Sequence, residues 1–314
     1  MADGEGAFDV STRARQGLTF VVGVRQAGEG TLQANPNPYV YWQPQNDPPA
    51  AMSRQQIEAE LSRLLPSHAR RLGELIRPAI GLWPRRPGAR PDPLGARFGG
   101  LPVGPADWSW PTTDDGPMLF LGQVNCADIR GYAGGETLPG TGVLAFFGEE
   151  DVVIGAAEGG DDGSVFYWPD STVLRAVEPP AGELTVFPEC ALVTRSLFDL
   201  PDPRSALMRS ILGDGADMAV YTEFHRAMRS HGLPAEAEFY CGFSKLLGWP
   251  HLVQWFSAPD SQDLSQRLLL QIDQYSNGEE MEGWGPGGSL YFTMSEDDLR
   301  EMKFSACLLD GQFT

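Results

Sequence analysis

A chain of 314 residues, 42% apolar and 10% aromatic, has material for one large core or two ordinary ones, and this aromatic content excludes a disordered acidic tail. Its 23 basic against 42 acidic residues give a formal charge of −19, which disfavours nucleic acid and favours encounter with basic partners. No run of about 18 apolar residues occurs, so no membrane span is expected.

Residues 1–52 read as a variable N-terminal extension. Within it Leu18–Val24 has the character of a strand, and Tyr39-Val40-Tyr41-Trp42 sits among prolines as a short edge strand or an extended arm. The acidic stretch Met1–Asp9 lacks the pattern of a secretion signal. Ser53 with Gln56 predicts a capping box, opening a helix with Ile57, Leu61, Leu64 and Leu65 on one face and Pro66 at its end. A second helix is expected from Ser67 to near Pro78, followed by a Pro-, Arg- and Gly-rich linker over 84–97. Strands are predicted at Met118–Val124, Gly142–Phe147, Val152–Ile154, Ser164–Trp168, Val173–Val177 and Leu184–Phe187. Helices follow over Pro203–Leu212 and 215–231. Strands at Leu268–Ile272 and Ser289–Met294 come next, then a short helix capped by Ser295 with Asp298. Cys126, Cys190, Cys241 and Cys307 form no CxxC and no zinc-ligand spacing, so reduced thiols in a cytoplasmic protein are expected, with no metal and no cofactor.

The chain repeats itself. Phe98-Gly99-Gly100-Leu101-Pro102 is matched by Leu246-Leu247-Gly248-Trp249-Pro250, and 21 residues separate Pro102 from Gln123 as they separate Pro250 from Gln271. Gly142, Leu144 and Phe146 are likewise matched by Gly288, Leu290 and Phe292. The expected fold is α+β: a mainly antiparallel, elaborate β-sheet built from two related copies, with N-terminal helices and a helical insert. Residues 53–314 then form a single domain, with copy one over about 98–190, the insert over about 199–232 and copy two over about 239–314.

These blocks, in this order, resemble the YwqG-like family, a bacterial domain of unknown function. The resemblance runs through Ile76–Ile80, Phe98–Pro102, Trp110-Pro111, Leu119–Asn125, Leu138–Phe147, Leu246–Pro250, Leu269–Asp273, Gly287–Phe292 and Asp298-Leu299. It implies a folded-over sheet and no established enzyme activity. It also implies kinship with proteins that include immunity partners of polymorphic toxins. The first 50 residues depart from the family pattern, and Gly122 replaces the residue usually found between Leu and Gln.

The candidate site residues follow from the repeat. Gln123 and Gln271 are amides inside apolar runs, and Asn125 and Asp273 lie two residues on, on the same side of an extended strand. They either face a cleft between the copies or tie strands together within each copy. Trp108, Trp110, Trp249 and Trp284 are aromatics suited to a pocket, an interface or a core. His251, with Gln254 close behind, is the one histidine inside a repeat motif, and its counterpart in copy one is Val103. His225 lies on an apolar helix face and reads as packed. No phosphate loop, nucleophile elbow or calcium loop is present. The leading expectation is therefore a non-enzymatic protein-binding module, an immunity protein facing a basic, toxin-like partner. The alternatives are a small-ligand-binding protein or hydrolytic enzyme with its site at the seam of the copies, and a structural module.

Overall fold

The structure, a computed structural model, describes residues 50–85, 92–155, 163–182, 184–231, 244–253, 265–273 and 288–313. The expected elements at Leu18–Val24 and Tyr39–Trp42, together with Cys241, Gln254 and Trp284, lie outside them.

In chain order the described elements begin with α1 (Arg54–Leu64), α2 (Ala69–Glu74), β1 (Arg77–Pro84), β2 (Arg97–Phe98), β3 (Val103–Gly104), β4 (Thr112–Thr113) and β5 (Gly116–Pro117). Next come β6 (Leu119–Asn125), α3 (Cys126–Ile129), β7 (Val143–Gly148), α4 (Glu150–Val153), β8 (Gly163–Trp168), β9 (Arg175–Ala176) and β10 (Cys190–Asp199). The last are α5 (Ala206–Leu212), α6 (Ala216–Arg229), β11 (Lys245–Leu247), β12 (Gln266–Asp273), β13 (Ser289–Ser295), α7 (Glu296–Arg300) and β14 (Leu308–Gln312). No helix among the described residues is long and apolar enough to cross a membrane.

Ten of the strands form one antiparallel sheet in the order β14-β13-β12-β11-β1-β10-β2-β6-β7-β8. β1 and β10 form its middle, paired along their whole length from Arg77↔Asp199 to Pro84↔Leu192. On either side lies a run of four strands, β2-β6-β7-β8 or β11-β12-β13-β14. The sheet curls over a shared core until β14 touches β8, and Phe146 meets Phe292 edge-on at 5.2 Å.

The two flanks keep corresponding registers. Arg97 faces Gln123 and Phe98 faces Gly122 on one side; Lys245 faces Gln271 and Leu246 faces Leu270 on the other. Each flank also breaks register at one place, between Phe120 and Gly122 or between Leu268 and Leu270. The skipped residues, Leu121 and Leu269, are both fully buried. A bulge bends the strand that carries it, which suits a sheet that must close on itself.

Strand alternation assigns the faces. Leu144 and Phe146 of β7 point into the shared core, whereas Val143, Ala145 and Phe147 join an outer aromatic cluster. A helical layer packs elsewhere, where Ile57, Leu61, Leu72, Met208 and Tyr221 form a separate core with Trp249. Its first helix starts as the sequence dictates: Ser53 Oγ accepts from the Gln56 N–H, and Gln56 Oε1 accepts from the Ser53 N–H at 2.8 Å. Ser205 and Ser295 cap α5 and α7 by accepting from the N–H groups of Met208 and Asp298, without the reciprocal bond.

Several expectations need correction. Residues 77–84 are not the end of a helix and the start of a linker; α2 ends at Glu74 and β1 follows at once. Pro78 and Pro84 stand near the ends of β1, where a missing N–H is tolerated. Cys190–Asp199, given no element by pattern, is the longest described strand. Val152 and Val153 belong to a short helix whose first turn carries Glu150 and Asp151, matching the positive end of its dipole. Leu184–Phe187 has no regular structure, and the strand expected at Val173–Val177 shrinks to a 3-10 turn followed by the two residues of β9.

Glycines 99 and 100 leave β2 with φ of 61° and 70°. A Cβ on Gly99 would overlap the backbone oxygens of Pro188 and Phe187. Gly99→Ala is therefore expected to destabilise by roughly 2 kcal/mol or more. Gly73→Ala in α2, where a Cβ meets nothing within 4 Å, should gain about 0.5–1 kcal/mol. Urea unfolding of the two variants checks this contrast.

Candidate functional site

The two glutamines are clamps. Gln123 Oε1 accepts from the Val103 N–H at 3.3 Å, and its Nε2 donates to the carbonyls of Pro93 and Gly95. Gln271 Oε1 accepts from the His251 N–H at 2.9 Å, and its Nε2 reaches the His251 carbonyl at 3.4 Å. Val103 and His251 thus occupy corresponding places. Each amide ties the turn after its Leu-Pro or Trp-Pro motif back to the neighbouring strand, and neither lines a described cavity. Asn125 caps α3 by accepting from the Ala127 N–H, and Asp273 accepts from Ser289 Oγ at 3.3 Å.

A cation sits opposite each glutamine. In the first flank Arg97 donates to the carbonyls of Pro93 and Leu101, with Glu189 at 3.8 Å. In the second, Lys245 is fully buried and its Nζ lies 2.5 Å from Asp199 Oδ2 and 3.0 Å from His251 Nε2. Asp199 Oδ2 also accepts from the Trp249 N–H at 3.0 Å, and Oδ1 accepts from the Leu200 N–H at 3.0 Å with His251 Nε2 at 3.3 Å. Burial opposes ionisation of Asp199, but the charge of Lys245, the nearby His251 and the hydrogen bonds to both outweigh it and hold the carboxyl far below its ordinary range. Burial pushes Lys245 down while Asp199 pulls it up; at 2.5 Å the two form an ion pair.

Asp199, His225 and His251 bring a carboxylate and two imidazoles within 4.8 Å of one another, a ligand set that fits a divalent metal. The Lys245 ammonium already stands against two of these three groups and supplies the positive charge there. Burial, with Arg229 and Lys245 adding to it, drives His251 well below its ordinary value. Burial likewise brings His225, whose Nε2 lies 3.3 Å from the Leu200 carbonyl, down to about 4. Both rings are neutral near pH 7. The space beside His251, Lys245 and Asp199, about 40 Å³, suits a water or two and not a substrate.

The tryptophans do not converge. Trp108 and Trp110 lie 6.4 Å apart in the outer cluster, packed on Phe147, and Trp110 Nε1 donates to the Met118 carbonyl. Trp249 lies in the helical layer, its Nε1 donating to the Leu75 carbonyl at 2.8 Å. The structure joins Trp249, His251 and Gln271 around Asp199 and Lys245, and leaves Trp108, Trp110, Gln123 and Asn125 in the other flank.

The open space lies away from both glutamine clamps. A groove of about 430 Å³ is lined by Arg77 and Pro78 of β1, by Leu247, Gly248, Arg267 and Leu268, and by α7 residues with Met302. Residues of the turn Gly134–Thr137 between α3 and β7 line it too, so both flanks contribute. The Arg77 guanidinium stacks on the Trp249 ring at 3.5 Å. Burial, with Arg267 adding repulsion, brings Arg77 down to about 9. Arg267 pairs with Glu296 at 2.9 Å, and Glu296 also faces Arg300 at 3.7 Å. Among the described residues two non-glycines have left-handed φ, Leu247 at 61° and Met302 at 57°, and both line this groove. Each conformation costs roughly 1–2 kcal/mol, and such strain gathers at working sites. Two signals were available in the sequence: the cation preceding each repeat motif (Arg97 and Lys245), and a leucine standing where the first motif has Gly99.

Lys245→Met leaves the Asp199 carboxylate buried without its cation and is expected to lower stability by about 3–5 kcal/mol, with Asp199→Asn in the same chain restoring part of it. Urea unfolding at pH 7 reads both; a loss below about 1 kcal/mol is the contrary result. A second expectation concerns pH. The folded chain protonates His225 only near pH 4, whereas the unfolded chain takes that proton near 6.5, so stability falls as pH drops through this window. The full effect is about 3 kcal/mol. His225→Gln should flatten the decline between pH 7 and pH 5, measured as the urea midpoint.

No curated protein matches the chain. A family model described as a domain of unknown function, DUF1963, matches residues 96–312, beginning just before β2 and ending at the last residue of β14. That span is well over half of the chain and carries both glutamine clamps, so the protein belongs to the DUF1963 family.

Proposed function

We propose that the protein is a non-enzymatic binding protein whose working surface is the groove at the seam of its two flanks. The observation that carries this reading is the coincidence of backbone strain with open space: Leu247 and Met302 hold left-handed conformations at a groove to which both flanks and β1 contribute. The groove size falls in the range of small-molecule sites. By contrast, the groups with catalytic chemistry are sealed. His251 is 6% exposed and Lys245 is 1% exposed, and each is committed to Asp199. Buried thiols support a cytoplasmic setting; burial pushes Cys126 and Cys190 up to about 12 and so keeps them unreactive. The two flanks are further proposed to be related copies, on the strength of their matching clamps, cations and bulges.

A second reading is a basic, toxin-like protein partner. It is favoured by the formal charge of −19 and by the carboxylates of Glu296, Asp297, Asp298 and Glu301 along α7, beside the groove. In that reading a captured protein binds strongly at low salt and is released as ionic strength rises.

The test is purification of the full chain from its native host and native mass spectrometry of wild type beside Thr137→Trp, which fills the groove from an exposed position. Wild type should carry a bound molecule that the variant lacks. A wild type that carries nothing, or a molecule retained equally by Thr137→Trp, overturns the groove reading. Met302→Gly provides a second check. Met302 follows the end of α7, where the Met302 N–H donates to Leu299 and the Lys303 N–H to Asp298, a position suited to glycine. The variant should gain about 1 kcal/mol of stability and bind the recovered molecule more weakly.

A further inference from the structure

We propose that the small cavity beside the Asp199 cluster binds a monovalent anion of chloride size, taken by the guanidinium of Arg195. Arg195 stands in β10 opposite Gly81 of β1 and is partly buried. Its Nε and Nη1 are shielded from solvent and make no hydrogen bond. The Trp83 ring, 5.0 Å from the Arg195 Cζ, offers a face but no acceptor oxygen. A shielded donor is normally met by an acceptor, and where the protein supplies none a water or an ion does so. Burial alone brings Arg195 down to about 10, so the group is charged near pH 7 and no carboxylate opposes the shift, as carboxylates do at Arg77 and Arg97.

The surroundings decide what can enter. Among the described residues the cavity is lined by Arg195 and Asp199 of β10, Arg229 at the end of α6, Lys245, His251 and Met52 just ahead of α1, so sheet and helical layer meet there. Two features oppose an anion. The Asp199 carboxylate is one, but it is already met by the Lys245 ammonium and by the N–H groups of Leu200 and Trp249. The carbonyl end of α6 is the other, but the carbonyls of Arg226 and Met228 accept from the N–H groups of Ser230 and His231. The space of about 40 Å³ holds roughly two or three water-sized particles. Nε and Nη1 donate from different edges of the guanidinium plane, so an ion takes one edge and a water the other. Phosphate, sulfate and metabolite carboxylates are too large for this space, and the nearby Asp199 disfavours a dianion further.

The test uses the full chain and two salts of equal ionic strength, sodium chloride and sodium gluconate, whose anion is too large for the cavity. The melting temperature in chloride minus that in gluconate is measured for wild type, for Arg195→Met, which removes the donors, and for Arg70→Met on the exposed face of α2. General salt effects are common to all three. The wild-type difference should exceed that of Arg195→Met by on the order of 2 °C and saturate with chloride, and Arg70→Met should behave as wild type. Crystals grown in sodium bromide give a direct reading that does not depend on the variant folding: an anomalous peak is expected within hydrogen-bond distance of Arg195 Nε or Nη1. Equal differences in wild type and Arg195→Met overturn the proposal, as does a bromide map with water alone at Arg195. A bromide peak without the chloride-specific rise marks an adventitious ion only and overturns it too.

Discussion

One carboxylate organises the second flank. Asp199 stands at the last position of β10 and gathers the Lys245 ammonium, the N–H groups of Leu200 and Trp249 and the His251 ring. A buried ion pair is poor evidence for net stability, since desolvation of both charges opposes their attraction. What it fixes is register. Two buried opposite charges that must meet, together with the N–H groups and the ring that share Asp199, favour one placement of β11 beside β1 and one path for the Trp249–His251 turn. The first flank uses the same logic with another cation and the opposite end of the same strand: Glu189, just before β10, faces Arg97. A single strand therefore carries, at its two ends, the countercharges of both flanks.

The segment 245–251 separates the sealed cluster from the open groove. Lys245 and the Trp249 N–H face Asp199, while Leu247 and Gly248, between them in sequence, line the groove. Two consecutive left-handed residues are needed to pass from one to the other. In the first flank the same passage is made by Gly99 and Gly100, for which this conformation carries no steric penalty. In the second, a leucine adopts it. Its side chain is 6% exposed and packs in the shared core, and burial worth about 1.5–3 kcal/mol offsets the backbone strain.

Much of the local structure was legible in the sequence because its causes are local. Ser53 with Gln56 and Ser295 with Asp298 announce helix starts by hydrogen bonding within four residues. The spacing from Pro102 to Gln123 and from Pro250 to Gln271 announces two corresponding clamps. The middle of the sheet was not legible, because what makes β1 and β10 strands is each other. Pro78 and Pro84 read as breakers when taken alone, and Cys190–Asp199 shows no clean alternation of burial, since seven of its ten residues are only partly buried. The groove was hidden for another reason: a sequence does not display φ, so Met302 carried no visible mark and Leu247 was marked only by standing where the first motif has Gly99. Arg77 and Arg267 stand 190 residues apart in the chain and become neighbours only once β1, β11 and β12 are side by side.

The central placement of β1 governs the order in which this chain acquires its structure. β1 bonds to β10 and to β11, strands that begin 113 and 168 residues after it starts. Contacts this distant in sequence carry a large loop-closure entropy and make folding slow. During synthesis β1 emerges early, keeps both edges unpaired until β10 has left the ribosome, and keeps one edge unpaired until residue 247 has followed. Exposed strand edges invite wrong pairings. The nascent chain thus depends on something to cover β1 in the interval, and fragments ending before β11 should be found with chaperones or in aggregates.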